Sequence, residues 1–305
     1  MLGNTPMMIQ YEKVKAQYED CILFYRLGDF YEMFGPDAET ASRILGIALT
    51  GRAGGNGTKV PMCGVPFHAA DNYIAKLISA GLKVAVCEQL EDPKAVKGIV
   101  KRDVIRIMTP GTVLESNILK EKDSNYLIAL VKSADKYALA ALEASTGEFM
   151  AVDLDNEADV INEILRFEPA ERICAINDVN LTNFLKNINS PKTLVVNNHL
   201  DYAFKFDFAA NRLKEHFKIN SLTSLGLEDK PLVTIAAGAI LDYVMLMQKS
   251  QAENVTALHI YTLDDTMHLD YATKRNLELL KSLHGSEKED SLFGILDYTK
   301  TALGG

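Results

Sequence analysis

Three apolar runs, Asn125–Val131, Tyr137–Glu143 and Glu148–Leu154, follow one another through short connections that contain Ser133-Ala134-Asp135 and Ser145-Thr146-Gly147. Links that short hold no crossover helix, so the runs are expected to pair as antiparallel hairpins. The periodicity then changes. A helix is expected over Glu157–Phe167, a strand over Arg172–Ile176, a helix over Leu181–Ile188, a strand over Thr193–Val196 and a helix over Phe208–Phe217. Strands separated by helices return parallel, so the rear of the chain is constrained to a sheet with an antiparallel and a parallel part. Pro231 opens a further apolar helix to about Lys249.

The front of the chain follows a different order. Thr5-Pro6 has the form of an N-cap followed by proline at the first helical position, with a helix to about Tyr18. Cys21 to Leu27 reads as a strand, broken by Gly28-Asp29. Pro36 to Leu45 reads as a helix with Ala38, Ala41, Ile44 and Leu45 on one face, ended by Gly46. Gly51 to Thr58, with four glycines around Arg52, is expected to be a mobile loop. Asp71 is expected to cap a helix carrying Ile74, Leu77 and Ile78, stopped at Gly81. Lys83–Glu88 and Val104–Met108 read as strands and Thr109–Thr112 as a turn. A compact α/β unit is expected here, and the pattern changes after Lys120-Glu121-Lys122-Asp123. The rear unit, three antiparallel strands followed by αβαβα, has the strand-helix order of ribonuclease H-like folds. From Ala257 a strand-like start and a helix over Thr273–Leu283 lead to Gly304-Gly305. No domain closes in so short a stretch, so the chain is expected to belong to something longer.

Composition narrows the class. Hydrophobic residues are 48% and charged residues 24%, enough apolar material for two cores. No run approaches about 18 consecutive apolar residues, and Met1 to Pro6 has neither a basic nor an apolar signal region. Cys21, Cys63, Cys87 and Cys174 form no Cys-x-x-Cys pair, which points to reduced thiols in a cytosolic protein. The six histidines are scattered, so no zinc site is expected. Residues 1–115 hold 13 Lys/Arg and 13 Asp/Glu, whereas 116–305 hold 19 and 28, so the whole net charge of −9 lies in the rear. The neutral front can approach nucleic acid, but it carries no basic footprint.

Chemistry concentrates in Gly28-Asp29-Phe30-Tyr31-Glu32-Met33-Phe34. One reading makes Phe30, Tyr31 and Phe34 ordinary core residues. The other makes a wedge: a rigid apolar ring enters a base stack at a cost of about a few kcal/mol per step, least where pairing is already defective. A carboxylate two residues on can accept a hydrogen bond from an exposed base edge. Elsewhere on DNA the phosphates repel it, which penalises binding without that bond. Arg52 reads either as a solvated charge or as a basic side chain reaching phosphate. Met62 reads either as core or as an apolar contact beside a wedge.

Five blocks in order and spacing resemble the amino-terminal domain of the MutS family of mismatch-recognition proteins. They are Thr5-Pro6-Met7-Met8, the run Phe24 to Phe34, the run Pro61 to His68, the run Val86 to Pro93 and the run Arg106 to Thr112. Ser145-Thr146-Gly147-Glu148-Phe149 resembles the family's connector domain. Asp270 to Leu279 and Leu296 to Gly305 resemble the start of its core domain. The resemblance implies a mismatch-recognition domain over 1–113, a ribonuclease H-like connector over 114–252 and the start of a helical core domain over 253–305. By it, the family's Phe-x-Glu motif falls on Phe30, stacking on the mispaired base, and Glu32, hydrogen-bonding it. It extends DNA contact to Tyr31, Arg52, Arg102 and Met62. It implies mismatched duplex DNA as ligand and a MutL-type partner met by the connector around Asn211-Arg212. It also implies a homodimeric full-length parent, this chain alone being a monomer, and residence in the bacterial cytoplasm at the nucleoid, with no membrane. ATP and magnesium belong to the parent's ATPase domain. No Gly-x-x-x-x-Gly-Lys-Ser/Thr loop occurs here, so no cofactor, catalytic residue or metal ligand is expected in this chain. The alternative, a metal-dependent nuclease of ribonuclease H-like type, would need Glu143, Glu148, Asp153 and Asp155 to converge. The odd spacing of 143 and 148 argues against that. A third reading is a protein-interaction scaffold with no DNA contact.

Overall fold

The computed structural model describes residues 3–55, 57–91, 98–114, 124–188, 195–263, 269, 271–280, 282–283 and 290–299. The chain divides into two compact units. One takes Met1–Ile118 with Val244–Ala252, and the other takes Leu119–Tyr243 with Glu253–Gly305. The pattern change expected at 120–123, the Thr193 start of a strand, Asp92, Pro93, Asp270 and residues 300–305 lie outside the described residues.

The first unit runs α1 (Pro6–Lys15), β1 (Cys21–Leu27), β2 (Phe30–Phe34), α2 (Pro36–Leu45), β3 (Thr50–Gly55), β4 (Thr58–Pro66), α3 (Ala70–Ser79), β5 (Lys83–Gln89) and β6 (Arg102–Met108). Thr5 caps α1, its hydroxyl accepting the Met8 N–H at 3.4 Å, with Pro6 in the first turn. The sheet order is β3-β4-β2-β1-β5-β6. Only β1 and β5 run parallel. Tyr11 of α1 meets Tyr25 and Phe34 edge-on, ring centroids 5.3 and 4.9 Å apart, which sets α1 on one face. The Cys63 thiol donates to the Ala38 carbonyl of α2 at 3.4 Å, and Arg106 lies 4.0 Å from Asp71 of α3, so α2 and α3 cover the other face.

Two expectations change here, and one strand is added. The glycine-rich stretch is no loop. Thr50–Gly55 pairs antiparallel with β4, with a register shift between Ala53 and Gly55, because the partner strand supplies what glycine's weak strand preference lacks. Gly28-Asp29 interrupts the strand as expected, and the run after it, Phe30–Phe34, for which the periodicity signals no element, is a strand. Asp71 does not cap α3; Ala69 holds that position, and Asp71 sits in the first turn, where its carboxylate favours the helix dipole.

The second unit runs β7 (Leu127–Ser133), β8 (Lys136–Leu142), β9 (Phe149–Leu154), α4 (Glu157–Phe167), β10 (Glu171–Ala175), α5 (Val179–Asn187), β11 (Val195–His199), α6 (Phe206–Phe217), α7 (Pro231–Gln248), β12 (His259–Ile260), α8 (Tyr271–Asn276) and α9 (Leu292–Leu296). Its sheet order is β11-β10-β7-β8-β9-β12. The three hairpin strands are antiparallel as expected, and β10 and β11 run parallel to β7 and to each other. Val160, Ile164, Leu181 and Leu185 of α4 and α5 close a core over Ile128, Leu130, Leu139 and Val152 on one face. α7 faces the other, where Tyr243 donates to Glu171 of β10 at 2.5 Å. The helix expected over 273–283 is shorter: α8 ends at Asn276, and Glu278 takes a left-handed φ of 50°.

α7 has the length and mean hydropathy of a membrane span although Thr234 and Asp242 interrupt its apolar run, but 67% of that window is buried in the protein. It is a core helix, so apolar on all sides because it is covered on most of them. At Gly238 it packs tightly on α6: a Cβ there would lie 2.4 Å from the Ala209 Cβ. Gly238→Val is therefore expected to cost about 2–3 kcal/mol through overpacking. A urea denaturation midpoint equal to that of the unsubstituted chain would refute the close approach.

Candidate nucleic-acid interface

β1 and β2 are joined by a two-residue turn. Leu27 pairs with Phe30 across it, and Gly28 takes φ 58°, a conformation that glycine adopts without a Cβ penalty. Side chains then alternate along β2. The register puts Phe30, Glu32 and Phe34 on the α1 face and turns Tyr31 and Met33 to the α2/α3 face. α1 covers Phe34, which is 1% exposed, and stops short of Phe30, which is 47% exposed at the strand's tip.

Glu32 lies opposite Gly64 of β4, which presents no side chain, and its carboxylate is ion-paired with Arg52 of β3. Met62, half-buried, stands opposite Phe34 and Thr50, on the face that carries Phe30 and Glu32. Phe30, Glu32, Arg52 and Met62 thus share one side of the sheet.

Tyr31 and Arg102 stand differently. Tyr31 is buried on the opposite face, with its hydroxyl donating to Glu88. Burial, reinforced by that carboxylate, pushes its pKa up to about 12, so the hydroxyl keeps its proton. Arg102 turns its guanidinium inward. Nε donates to the Arg26 carbonyl at 2.7 Å, and Nη1 donates to Gln10 Oε1 and the Val100 carbonyl, both at 3.0 Å. Sequence reasoning singled out none of Arg26, Phe67 and Glu88, which gather beneath the turn. They lie within the blocks that carry the family resemblance, but nothing in those runs marks their role, and only the pleat places Arg26 and Tyr31 on the same side.

In the second unit Asn211 and Arg212 diverge. Asn211 lines an open groove of about 410 Å³ with Phe206, Lys214, Ser221 and Thr223. Arg212 reaches Asp242 of α7 through Nε at 3.0 Å and Nη2 at 2.6 Å, and His199 Nε2 lies 3.0 Å from the other carboxylate oxygen. Burial by itself raises the Asp242 carboxyl, but the hydrogen bonds to His199 and Arg212 outweigh it and hold it below the usual range. A lowered carboxyl stabilises the fold above the unfolded carboxylate range and loses that contribution on acidification.

The four carboxylates weighed for a nuclease do not converge. Glu143 accepts from the Asn125 N–H and the Thr146 hydroxyl, and Glu148 accepts from Tyr126. Asp153 pairs with Lys230, and Asp155 pairs with Lys136. Each serves a local contact, and the nuclease alternative has no support.

Two mixed α/β sheets, the first with an exposed aromatic beside a carboxylate, agree with the match to known families. The sequence model of MutS domain I matches residues 5–117, and that of MutS domain II matches 125–258. The chain belongs to the MutS family. It is 44% identical over 306 residues to the DNA mismatch repair protein MutS of Alkaliphilus oremlandii (strain OhILAs), covering 99% of this chain and 35% of that protein. It is 46% identical over 306 residues to that of Clostridioides difficile (strain 630), covering 99% of this chain and 31% of that protein. It is 43% identical over 304 residues to that of Lachnoclostridium phytofermentans (strain ATCC 700394 / DSM 18823 / ISDg), covering 100% and 33%. The chain spans about a third of the length of the curated relatives it matches.

The divergence of Asn211 and Arg212 gives a stability test. Arg212→Ala leaves the buried Asp242 carboxylate short of a partner and is expected to cost about 2 kcal/mol or more at neutral pH. Asn211→Ala, on the groove, is expected to stay within about 0.5 kcal/mol. Equal unfolding midpoints for the two variants would sink the assignment.

Proposed function

We propose that this chain reads duplex DNA for base–base mismatches and small insertion or deletion loops, the recognition step that opens DNA mismatch repair. The observation that carries this is the half-exposed ring of Phe30 at a hairpin tip, with Glu32 on the same face two residues on. Phe30 acts as the wedge, entering the stack where pairing is weak and unstacking costs least. Glu32 accepts a hydrogen bond from the base that the wedge displaces. On paired DNA that bond is missing, and the carboxylate faces only phosphate repulsion. Arg52, ion-paired with Glu32, offsets part of that repulsion and reaches phosphate once the base engages the carboxylate. Met62 packs beside the wedge. Tyr31 from behind the sheet, and Arg102 from the α1 side, support the strand and turn that present it. Selection rests on deformability, not on base sequence.

On this reading residues 1–113 form the mismatch reader. Residues 114–252 form a ribonuclease H-like connector, in keeping with the strand order β9-β8-β7-β10-β11, and 253–305 begin a core domain. The connector passes the bound state to a MutL-type partner by the groove at Asn211. The longer protein is a cytoplasmic homodimer at the nucleoid, and ATP and magnesium act outside the present residues, this chain alone being a monomer without a cofactor.

The test is fluorescence anisotropy at low salt with a duplex carrying one G·T mismatch and its paired twin. The chain should bind the mismatch at least about tenfold more tightly, the scale of one unstacked step, and Phe30→Ala should erase the difference. Equal affinity for both duplexes, unmoved by Phe30→Ala, would leave the third reading, a scaffold without DNA contact.

A further inference from the structure

The turn that carries Phe30 is held by side-chain and backbone bonds beyond the β1–β2 ladder. Its two central residues are Gly28 and Asp29, and both carbonyls are taken. Arg26 Nε donates to Gly28 O at 2.5 Å, and the Phe67 N–H donates to Asp29 O at 2.9 Å. The Arg26 Cζ stands 3.8 Å over the Phe67 ring centroid. Glu88 of β5 fixes its far end, with Nη1 3.4 Å from Oε1, and the same oxygen accepts the Tyr31 hydroxyl. From the opposite face Arg102 Nε holds the Arg26 carbonyl at 2.7 Å. Two guanidinium groups therefore grip one strand end, one from each side of the sheet. The Arg26 side chain is only 16% exposed, too enclosed to serve as a free phosphate contact.

From this arrangement we infer that Arg26, seated between Phe67 and Glu88, is a positioning residue for mismatch discrimination: it keeps the Gly28-Asp29 turn rigid so that Phe30 meets the base stack already oriented. The inference rests on the mismatch reading above. A hairpin tip of glycine and a short polar residue is otherwise among the least ordered places in a chain. Ordering it during binding would subtract from the affinity gained by the wedge. On a paired duplex the wedge does not insert and this saving is absent, so the grip acts on the ratio of the two affinities. Arginine is needed because Nε must donate sideways to Gly28 O while the planar head stacks on Phe67 and points Nη1 at Glu88; a lysine ammonium keeps the charge but not that fork.

The experiment uses the whole chain with Arg26→Lys, Phe67→Leu and Phe30→Ala, read by anisotropy on the G·T and paired duplexes and by hydrogen exchange of the Gly28–Tyr31 amides without DNA. Arg26→Lys should accelerate exchange at the turn. It should lower the mismatch-to-paired ratio about tenfold, the scale of one residue's backbone ordering, and leave paired-duplex binding within about twofold, as a change that keeps the charge should. Phe67→Leu removes the stacking plate but keeps the N–H to Asp29, and should move both readouts the same way by less. Unchanged exchange in Arg26→Lys overturns the grip. Faster exchange with an unchanged ratio overturns its role in discrimination. In both cases a ratio abolished by Phe30→Ala leaves the mismatch reading standing. A chain that binds both duplexes equally before any substitution overturns the mismatch reading and this inference together, with the exchange data still reporting whether Arg26 holds the turn.

Discussion

The pleat of one five-residue strand governs the exposed end of the first sheet. Because neighbours on a strand point to opposite faces, Phe30 and Glu32 cannot be presented together without Tyr31 being sent inward. The protein makes use of both directions. On one side α1 stops short of the tip, leaving Phe30 bare beside the Glu32–Arg52 pair. On the other, Tyr31 joins Arg26 and Glu88 in a hydrogen-bonded cluster that stiffens the same strand from beneath. Recognition on one face and rigidity on the other are two sides of a single register.

The same rule sorts charges in the second sheet. Glu171 and Arg172 are adjacent on β10 and both fully buried, so they face opposite ways. Glu171 points toward α7 and accepts from Asn197 at 2.6 Å and Tyr243 at 2.5 Å. Arg172 points toward α5 and donates from Nη1 to the Leu185 carbonyl at 2.8 Å, in that helix's last turn, where the dipole favours a cation. Its Nε and Nη2 have no hydrogen-bond partner among the described residues, and burial lowers its pKa to about 10. It stays charged near neutrality, an expensive way to end a helix.

Much of this was legible beforehand, for local reasons. The hairpins of β7–β9 follow from short links, and α4, whose bounds at Glu157 and Phe167 are as expected, from periodic apolar residues, with Asn156 capping it in the structure. The exposed Phe30 stood out through its motif. What escaped is non-local. Three of the six residues of β3 are glycine, and only its pairing with β4 makes it a strand. The bond between Arg212 and Asp242 spans 30 residues, and that between Arg26 and Glu88 spans 62; no periodicity signals either. The inward turn of Tyr31 was the exception: counting residues from Phe30 along the strand suffices to find it.

The first unit is not contiguous in the chain. Its cluster includes Val244–Ala252, more than a hundred residues after Ile118. Within it the Lys249 ammonium donates to the Val104 carbonyl of β6 and sits 5.5 Å over the Tyr18 ring. A piece excised at residue 118 would lose that strap, and β6, the strand that brings Arg102 to the wedge turn, would be an edge without it. Engineering that swaps the front 118 residues alone between relatives therefore has to match a segment, Val244–Ala252, encoded far downstream.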